Sequence, residues 1–277
     1  MIAEVRRVAL ESGATTTVEC WGDAGPAVLC VHGIASSRRD FTRLGEALAA
    51  THRVFAYDQR GHGDSETSQP MTLDALAADL RSVADSIGTV AAVVGHSWGG
   101  AVALIGGPKI ARALVLIDPM IRVATGTFER EYVGELEPLL GAPPGEVREA
   151  AVREAFTDAD PRDREAKVHA MRALDLETLR RLGAENGAER GEWDLRERLS
   201  TLKVPTTILL AGVESVVAPD DLANASPHAA VTIGLSNVMF IDADGERLLR
   251  RMARTGVRFD GDGCMNRYVI ERISGGM

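Results

Sequence analysis

The sequence predicts an α/β protein in which a mostly parallel, doubly wound sheet carries a helical insertion. Three observations predict it. Short continuous apolar runs alternate with amphipathic stretches of helical period, the pattern of buried strands joined by crossover helices. A Gly-x-Ser-x-Gly turn lies directly between one such run and the next helical stretch. One long segment rich in Glu, Arg and Ala breaks the alternation while keeping helical periodicity.

The first two strands are expected at Val5 to Leu10 and Thr15 to Trp21. They should pair antiparallel, because Glu11-Ser12-Gly13-Ala14 is too short for a crossover helix. Ala27 to Val31, Val54 to Tyr57, Ala91 to Val94, Ala113 to Ile117, Thr207 to Leu210 and Val231 to Ile233 are continuously apolar, as strands covered on both faces are. Helices fit at Phe41 to Ala50, Leu73 to Ile87, Trp98 to Ile105 and again after Asp242. Right-handed crossovers then lay the strands side by side. The interrupting segment, Arg122 to Ser200, contains the breakers Gly141-Ala-Pro-Pro144 and Asp158-Ala-Asp-Pro161. Lying between two buried strands, it should cover the carboxyl edge of the sheet as a lid, where α/β folds bind ligands. A purely scaffolding helical subdomain is the alternative. The expected organisation is a core of residues 1–120 and 201–255, a lid of 121–200 and a C-terminal extension of 256–277.

Composition narrows the function. The chain has 277 residues, with 31 Lys+Arg against 40 Asp+Glu and a net charge of −9, which argues against tracking a nucleic-acid backbone. Cys20, Cys30 and Cys264 are irregularly spaced with no C-x-x-C pair, so neither a disulfide framework nor a zinc site is expected. The start, MIAEVRRVALESG, lacks an apolar run followed by a small-residue cleavage site, and no stretch is apolar for long enough to span a bilayer. The expectation is a cytoplasmic monomer or homodimer that binds a small molecule, without metal, cofactor, nucleic acid or membrane. Aromatics make up only 4% of the chain, which predicts a pocket walled by aliphatic side chains.

The strongest chemical signal is Gly95-His96-Ser97-Trp98-Gly99. With 28 glycines in 277 residues, chance supplies only about 0.13 matches to this pattern, before any strand–helix context is required. Glycine two before and two after the serine permits a tight strand-to-helix turn that exposes the hydroxyl. A second loop, His32-Gly33-Ile34, follows the strand ending at Val31 and can aim the Ile34 N–H at the point addressed by the Trp98 N–H, forming an oxyanion hole. A third, Asp58 to Ser65, is glycine-punctuated and reads as mainly structural, with His62 a hydrogen-bonded loop histidine.

Together these features resemble the lid-bearing α/β-hydrolase fold over roughly residues 15–255. The resemblance implies esterase, lactonase, thioesterase or C–C hydrolase activity from a triad in the chain order Ser, Asp, His. Two positions depart from it. The segment that usually holds the acid reads Gly212-Val-Glu-Ser215-Val-Val-Ala-Pro219, and the loop that usually holds the histidine reads Gly234-Leu-Ser-Asn237, which places Ser236 and Asn237 at the pocket. His228 precedes the last predicted strand and so belongs at its opposite end. The candidates left to serve Ser97 are Glu214, beside the expected acid, and Asp118, at a second family position for an acid. His96, His62 and His169 are further pocket candidates, with packing or surface roles as the alternative for each. Three readings stay open: an atypical hydrolase of a small carbonyl compound, a non-hydrolytic cyclase, lyase or decarboxylase using the same pocket, and a ligand-binding protein on the same scaffold.

Overall fold

The chain runs β1 (Glu4–Ala9), β2 (Thr15–Trp21), β3 (Ala27–Val31), α1 (Thr42–Leu48), β4 (Arg53–Tyr57), α2 (Leu73–Ile87), β5 (Val90–His96), α3 (Trp98–Gly106) and β6 (Ala111–Ile117). It continues through α4 (Gly134–Leu140), α5 (Glu146–Ala155), α6 (Pro161–Met171), α7 (Leu176–Glu185) and α8 (Arg196–Ser200) to β7 (Thr206–Leu210), β8 (Ala229–Gly234) and β9 (Arg258–Asp260). The computed structural model describes residues 3–210, 217, 219–222, 225, 229–234, 250, 253 and 257–260. Its strands form one sheet in the order β1-β2-β4-β3-β5-β6-β7-β8-β9. β1 and β2 pair antiparallel, as the short connection requires, and β2 meets β4 antiparallel; every later pair is parallel.

Burial follows position in the sheet. All five residues of β3, at the centre, are buried, whereas β1, at the edge, is exposed at every residue but Val8. β9 was not legible as a strand: three residues, Arg-Phe-Asp, carry no apolar run, and they form by pairing with the last strand of the parallel array. The breaker Asp158-Ala-Asp-Pro161 separates α5, which ends at Ala155, from α6, and its last two residues start that second helix. The Asp160 carboxylate caps α6 by accepting from the Arg162 N–H at 2.9 Å, and Pro161, which lacks a donor, takes the first turn, where none is needed.

The helices α4 to α8 lie between β6 and β7 and leave the sheet through a narrow neck. Val123 N–H donates to Trp193 O at 3.1 Å and Leu195 N–H to Ile121 O at 2.8 Å, so the outgoing and returning strands of chain are tied together. The Trp193 indole N–H bonds Met120 O at 3.2 Å. Inside the insertion the guanidinium of Arg148, only 5% exposed, meets no carboxylate among the described residues. It donates instead to Leu140 O and Leu174 O, each at 2.8 Å, and to Ala142 O at 3.0 Å. Carbonyls at and beyond helix ends have no intrahelical partner, so one buried arginine satisfies several and fixes the helices to one another.

Candidate active site

β5 ends at His96 and α3 begins at Trp98, which leaves Ser97 between them at φ 51° and ψ −117°. A non-glycine residue here is strained by about 1–3 kcal/mol, so surrounding bonds must hold it. They do: Ser97 N–H donates to Ile117 O at 2.9 Å, and Ser97 O accepts from Gly100 N–H and Met120 N–H, both at 2.9 Å. The flanking glycines are required by contact. A Cβ on Gly99 would stand 2.2 Å from Val31 O and 2.4 Å from His32 O, and one on Gly95 would stand 2.4 Å from Gly99 O. The Ser97 side chain makes no capping bond to the helix it precedes. Its hydroxyl therefore stays available at the positive end of α3, where first-turn N–H groups lack intrahelical acceptors.

The loop after β3 lies directly against this turn. A Cβ on Gly33 would be 3.2 Å from the Ser97 Cβ and 3.3 Å from His96 Nδ1, so serine and imidazole flank the same glycine. His32 pins the loop. It is fully buried, with Nδ1 on Gly33 O at 2.8 Å and Nε2 accepting from Gln59 N–H at 2.9 Å, partners that assign the neutral tautomer. Burial lowers its pKa in keeping with that. Ile34 follows half-buried, and Ala35 holds a positive φ of 50°.

His96 lines a cleft of about 510 Å³ with Phe41, Leu44, Ile117 and Ala166 and the charged Asp40, Arg43, Asp163 and Lys167. Neither of its ring nitrogens is hydrogen-bonded among the described residues. Burial, then the Lys167 ammonium, pushes its pKa down against the opposing pull of Asp40 and Asp118, which keeps the ring neutral. Asp118 ends β6 at φ 45°, 8% exposed, with its N–H on Leu209 O at 2.7 Å. The cleft mixes aliphatic with charged side chains, unlike the aliphatic wall expected from composition, and the floor of the turn is aromatic. Trp98 packs on Trp193 at 4.8 Å between ring centroids, Trp193 lies 6.0 Å from Phe128, and Phe128 lies 5.4 Å from Tyr132. A low aromatic count says nothing of clustering, which is why composition missed this group.

His169 and His62 have other partners. His169, on α6, is 1% exposed and accepts from Arg38 Nη1 at 3.0 Å, with Asp58 and Asp64 each 3.6 Å away. Arg38 also forms ion pairs with Asp58, with Asp64 at 2.9 Å and with Glu19 at 3.3 Å. Asp58, Asp64 and His169 come close enough to share a cation, yet the Arg38 guanidinium already supplies positive charge to both carboxylates. Burial alone would raise the Asp58 pKa, but the adjacent His169 ring and the Arg38 charge outweigh it and hold the carboxyl well below the usual range. His62 is 1% exposed, packs 5.2 Å from the His32 ring and places Nδ1 3.2 Å from Arg60 O. Burial, then the neighbouring His32, lowers its pKa to about 3. Its neutral form is thus favoured by folding, so stability is retained above the free-imidazole pKa of about 6.5 and is lost as pH falls from there toward 3. Melting temperature should drop more steeply from pH 6.5 to 4 in the wild type than in His62→Gln, and parallel profiles would contradict this assignment.

Glu214, Ser215, His228, Ser236 and Asn237 lie outside the described residues. The sequence reading overlooked Lys167 and Arg38. The only available signal for either was proximity in number to His169 and to the His32 loop, since a single lysine or arginine carries no motif.

Residues 28–264 match the model of the alpha/beta hydrolase family. The lipase LipV of Mycobacterium tuberculosis is 37% identical over 153 residues, covering 52% of this chain and 57% of the lipase. A pimeloyl-[acyl-carrier protein] methyl ester esterase of Neisseria meningitidis is 38% identical over 130 residues, covering 46% of this chain and 40% of the esterase. The chain thus spans about half the length of these curated relatives. Among solved structures, the enol-lactonase of Burkholderia xenovorans superposes with a TM-score of 0.64 at 18% identity, covering 82% of this chain and 90% of the lactonase; that likeness concerns fold alone.

Proposed function

Because the chain belongs to the alpha/beta hydrolase family, we propose that it hydrolyses a small ester, lactone or thioester with Ser97 as nucleophile. One observation carries the reading: the strained Ser97 turn, with its hydroxyl uncapped and the Gly33 loop packed against it. In this mechanism Ser97 Oγ attacks the carbonyl carbon, and the N–H groups of Ile34 and Trp98 receive the negative charge on its oxygen. The alcohol or thiol leaves with the serine proton, and water then releases the acid from the acyl-enzyme. His96 is supported as proton acceptor by its neutral ring, its unbonded nitrogens and its place beside Gly33, and Asp118 as the carboxylate whose charge favours the resulting imidazolium. Glu214 is the alternative acceptor. The insertion, residues 121–200, acts as the lid. The lipase and methyl ester esterase relatives support ester chemistry. Among the described residues no helix is long and apolar enough to cross a membrane; a cytoplasmic monomer or homodimer acting without metal or cofactor completes the proposal.

A second reading has its own support. Ser215 and Ser236 occupy the family positions for acid and base, which favours a cyclase- or lyase-like reaction that uses the oxyanion hole without an acyl-enzyme. Turnover of p-nitrophenyl esters, an acyl thioester and a γ-lactone decides between them. The hydrolase reading expects Ser97-dependent turnover of at least one class. Equal rates from wild type and Ser97→Ala on all three would overturn it.

A further inference from the structure

We propose that Lys167, on α6 of the insertion, is a positioning residue that holds the loop carrying the Ile34 oxyanion donor; this rests on the serine-hydrolase reading above. The Lys167 ammonium donates to Ser36 Oγ at 3.1 Å and to Ala35 O at 3.5 Å, and it pairs with Asp40 Oδ2 at 3.4 Å. An ammonium has three donors, and all three acceptors belong to the stretch that follows Ile34.

That stretch needs holding from outside. Ala35 sits at φ 50°, a conformation that costs a residue bearing a Cβ about 1–2 kcal/mol, so the loop relaxes unless its neighbours oppose it. His32 fixes the carbonyl of Gly33, and Arg38, through Asp58, fixes the far end. Between these two pins, Lys167 is the side chain that bonds Ala35 and Ser36. The Ile34 N–H shares its peptide plane with the Gly33 carbonyl that His32 holds, and Lys167 holds the chain on the other side of Ile34, at Ala35 and Ser36. The other contacts of α6 differ in kind. Arg162 with Glu46 and Asp163 with Arg43 are exposed ion pairs to α1, of a type worth little. Lys167 is 30% exposed and reaches past them into the loop. Two residues further on, His169 meets Arg38, so α6 lies along the loop from Ala35 to Asp40. Docking of the insertion and alignment of the oxyanion donor are therefore one event.

A donor that is misaimed weakens the transition state more than the bound substrate. In p-nitrophenyl butyrate hydrolysis, Lys167→Met is expected to lower kcat roughly 10- to 100-fold with KM within about twofold. Inhibition by phenylboronic acid, which forms a tetrahedral adduct with a serine oxygen, should weaken by a similar factor, and Lys167→Arg, which keeps a charged donor, should recover most of both. A kcat for Lys167→Met equal to wild type, or a loss confined to KM or to the amount of folded protein, would overturn the assignment while leaving Ser97 chemistry intact. If the wild type turns over ester, thioester and lactone no faster than Ser97→Ala, the hydrolase reading fails and the assignment falls with it.

Discussion

Replacing Ser97 with alanine is expected to lower kcat for ester hydrolysis by about 10³-fold or more, leaving only the rate that binding and the oxyanion donors sustain by themselves. The loss should appear in kcat, because the hydroxyl forms a bond in the transition state and makes no capping contact in the ground state. Stability should change little, since alanine inherits the same φ of 51° and the backbone bonds that hold it. Ser97→Gly separates strain from chemistry. Glycine tolerates this conformation, so that variant should be as inactive as alanine yet gain roughly 1 kcal/mol in a urea melt. An active Ser97→Ala enzyme would mean that the turn is scaffolding and that the pocket works without a nucleophile.

Arg38→Met is expected to cost about 3–5 kcal/mol of folding stability, because it leaves a buried carboxylate without its counter-ion. Arg38 is 4% exposed and Asp58 is fully buried, so water cannot take over the lost interaction. The same change frees His169 and Asp64, loosening α6 from the core. The effect has a pH signature with a definite sign. Asp58 titrates below its unfolded value, so its contribution is complete above the unfolded carboxyl pKa of about 4 and is lost as pH falls through the folded one. Without the guanidinium, burial would raise that pKa and the carboxyl would protonate sooner. Urea melts should therefore show the widest gap between wild type and Arg38→Met at pH 7, narrowing below pH 4. A gap that is small at pH 7, or constant across the range, would mean that the cluster is not held by charge.

Most of the sheet was legible because a strand buried on both faces has no polar face to disguise it. Ala27 to Val31 and Val54 to Tyr57 announce themselves this way. The turn at Ser97 was legible because its geometry forces glycine at fixed distances, and the close approach of Val31 O and His32 O to Gly99 is that requirement seen in space. The helical insertion was visible from its period, and Asp158-Ala-Asp-Pro161 falls where one of its helices gives way to the next. What stayed hidden depends on contacts between distant residues. Lys167 meets Ser36 across 131 positions, and Arg38 gathers Glu19, Asp58, Asp64 and His169 from three separate parts of the chain. Nothing local in the sequence encodes such meetings. The same holds for Trp98 on Trp193, a contact formed only because the neck of the insertion returns beside the turn.

Activation of the Ser97 hydroxyl can be read directly. The most direct test is reaction of the purified protein with a fluorophosphonate probe at neutral pH, read by intact mass, with Ser97→Ala alongside. Prompt addition of one phosphonyl group, absent from the variant, is the predicted result. A folded wild type that remains unmodified would contradict the account, since it would show that no proton acceptor serves Ser97 and that the pocket does not form an acyl-enzyme.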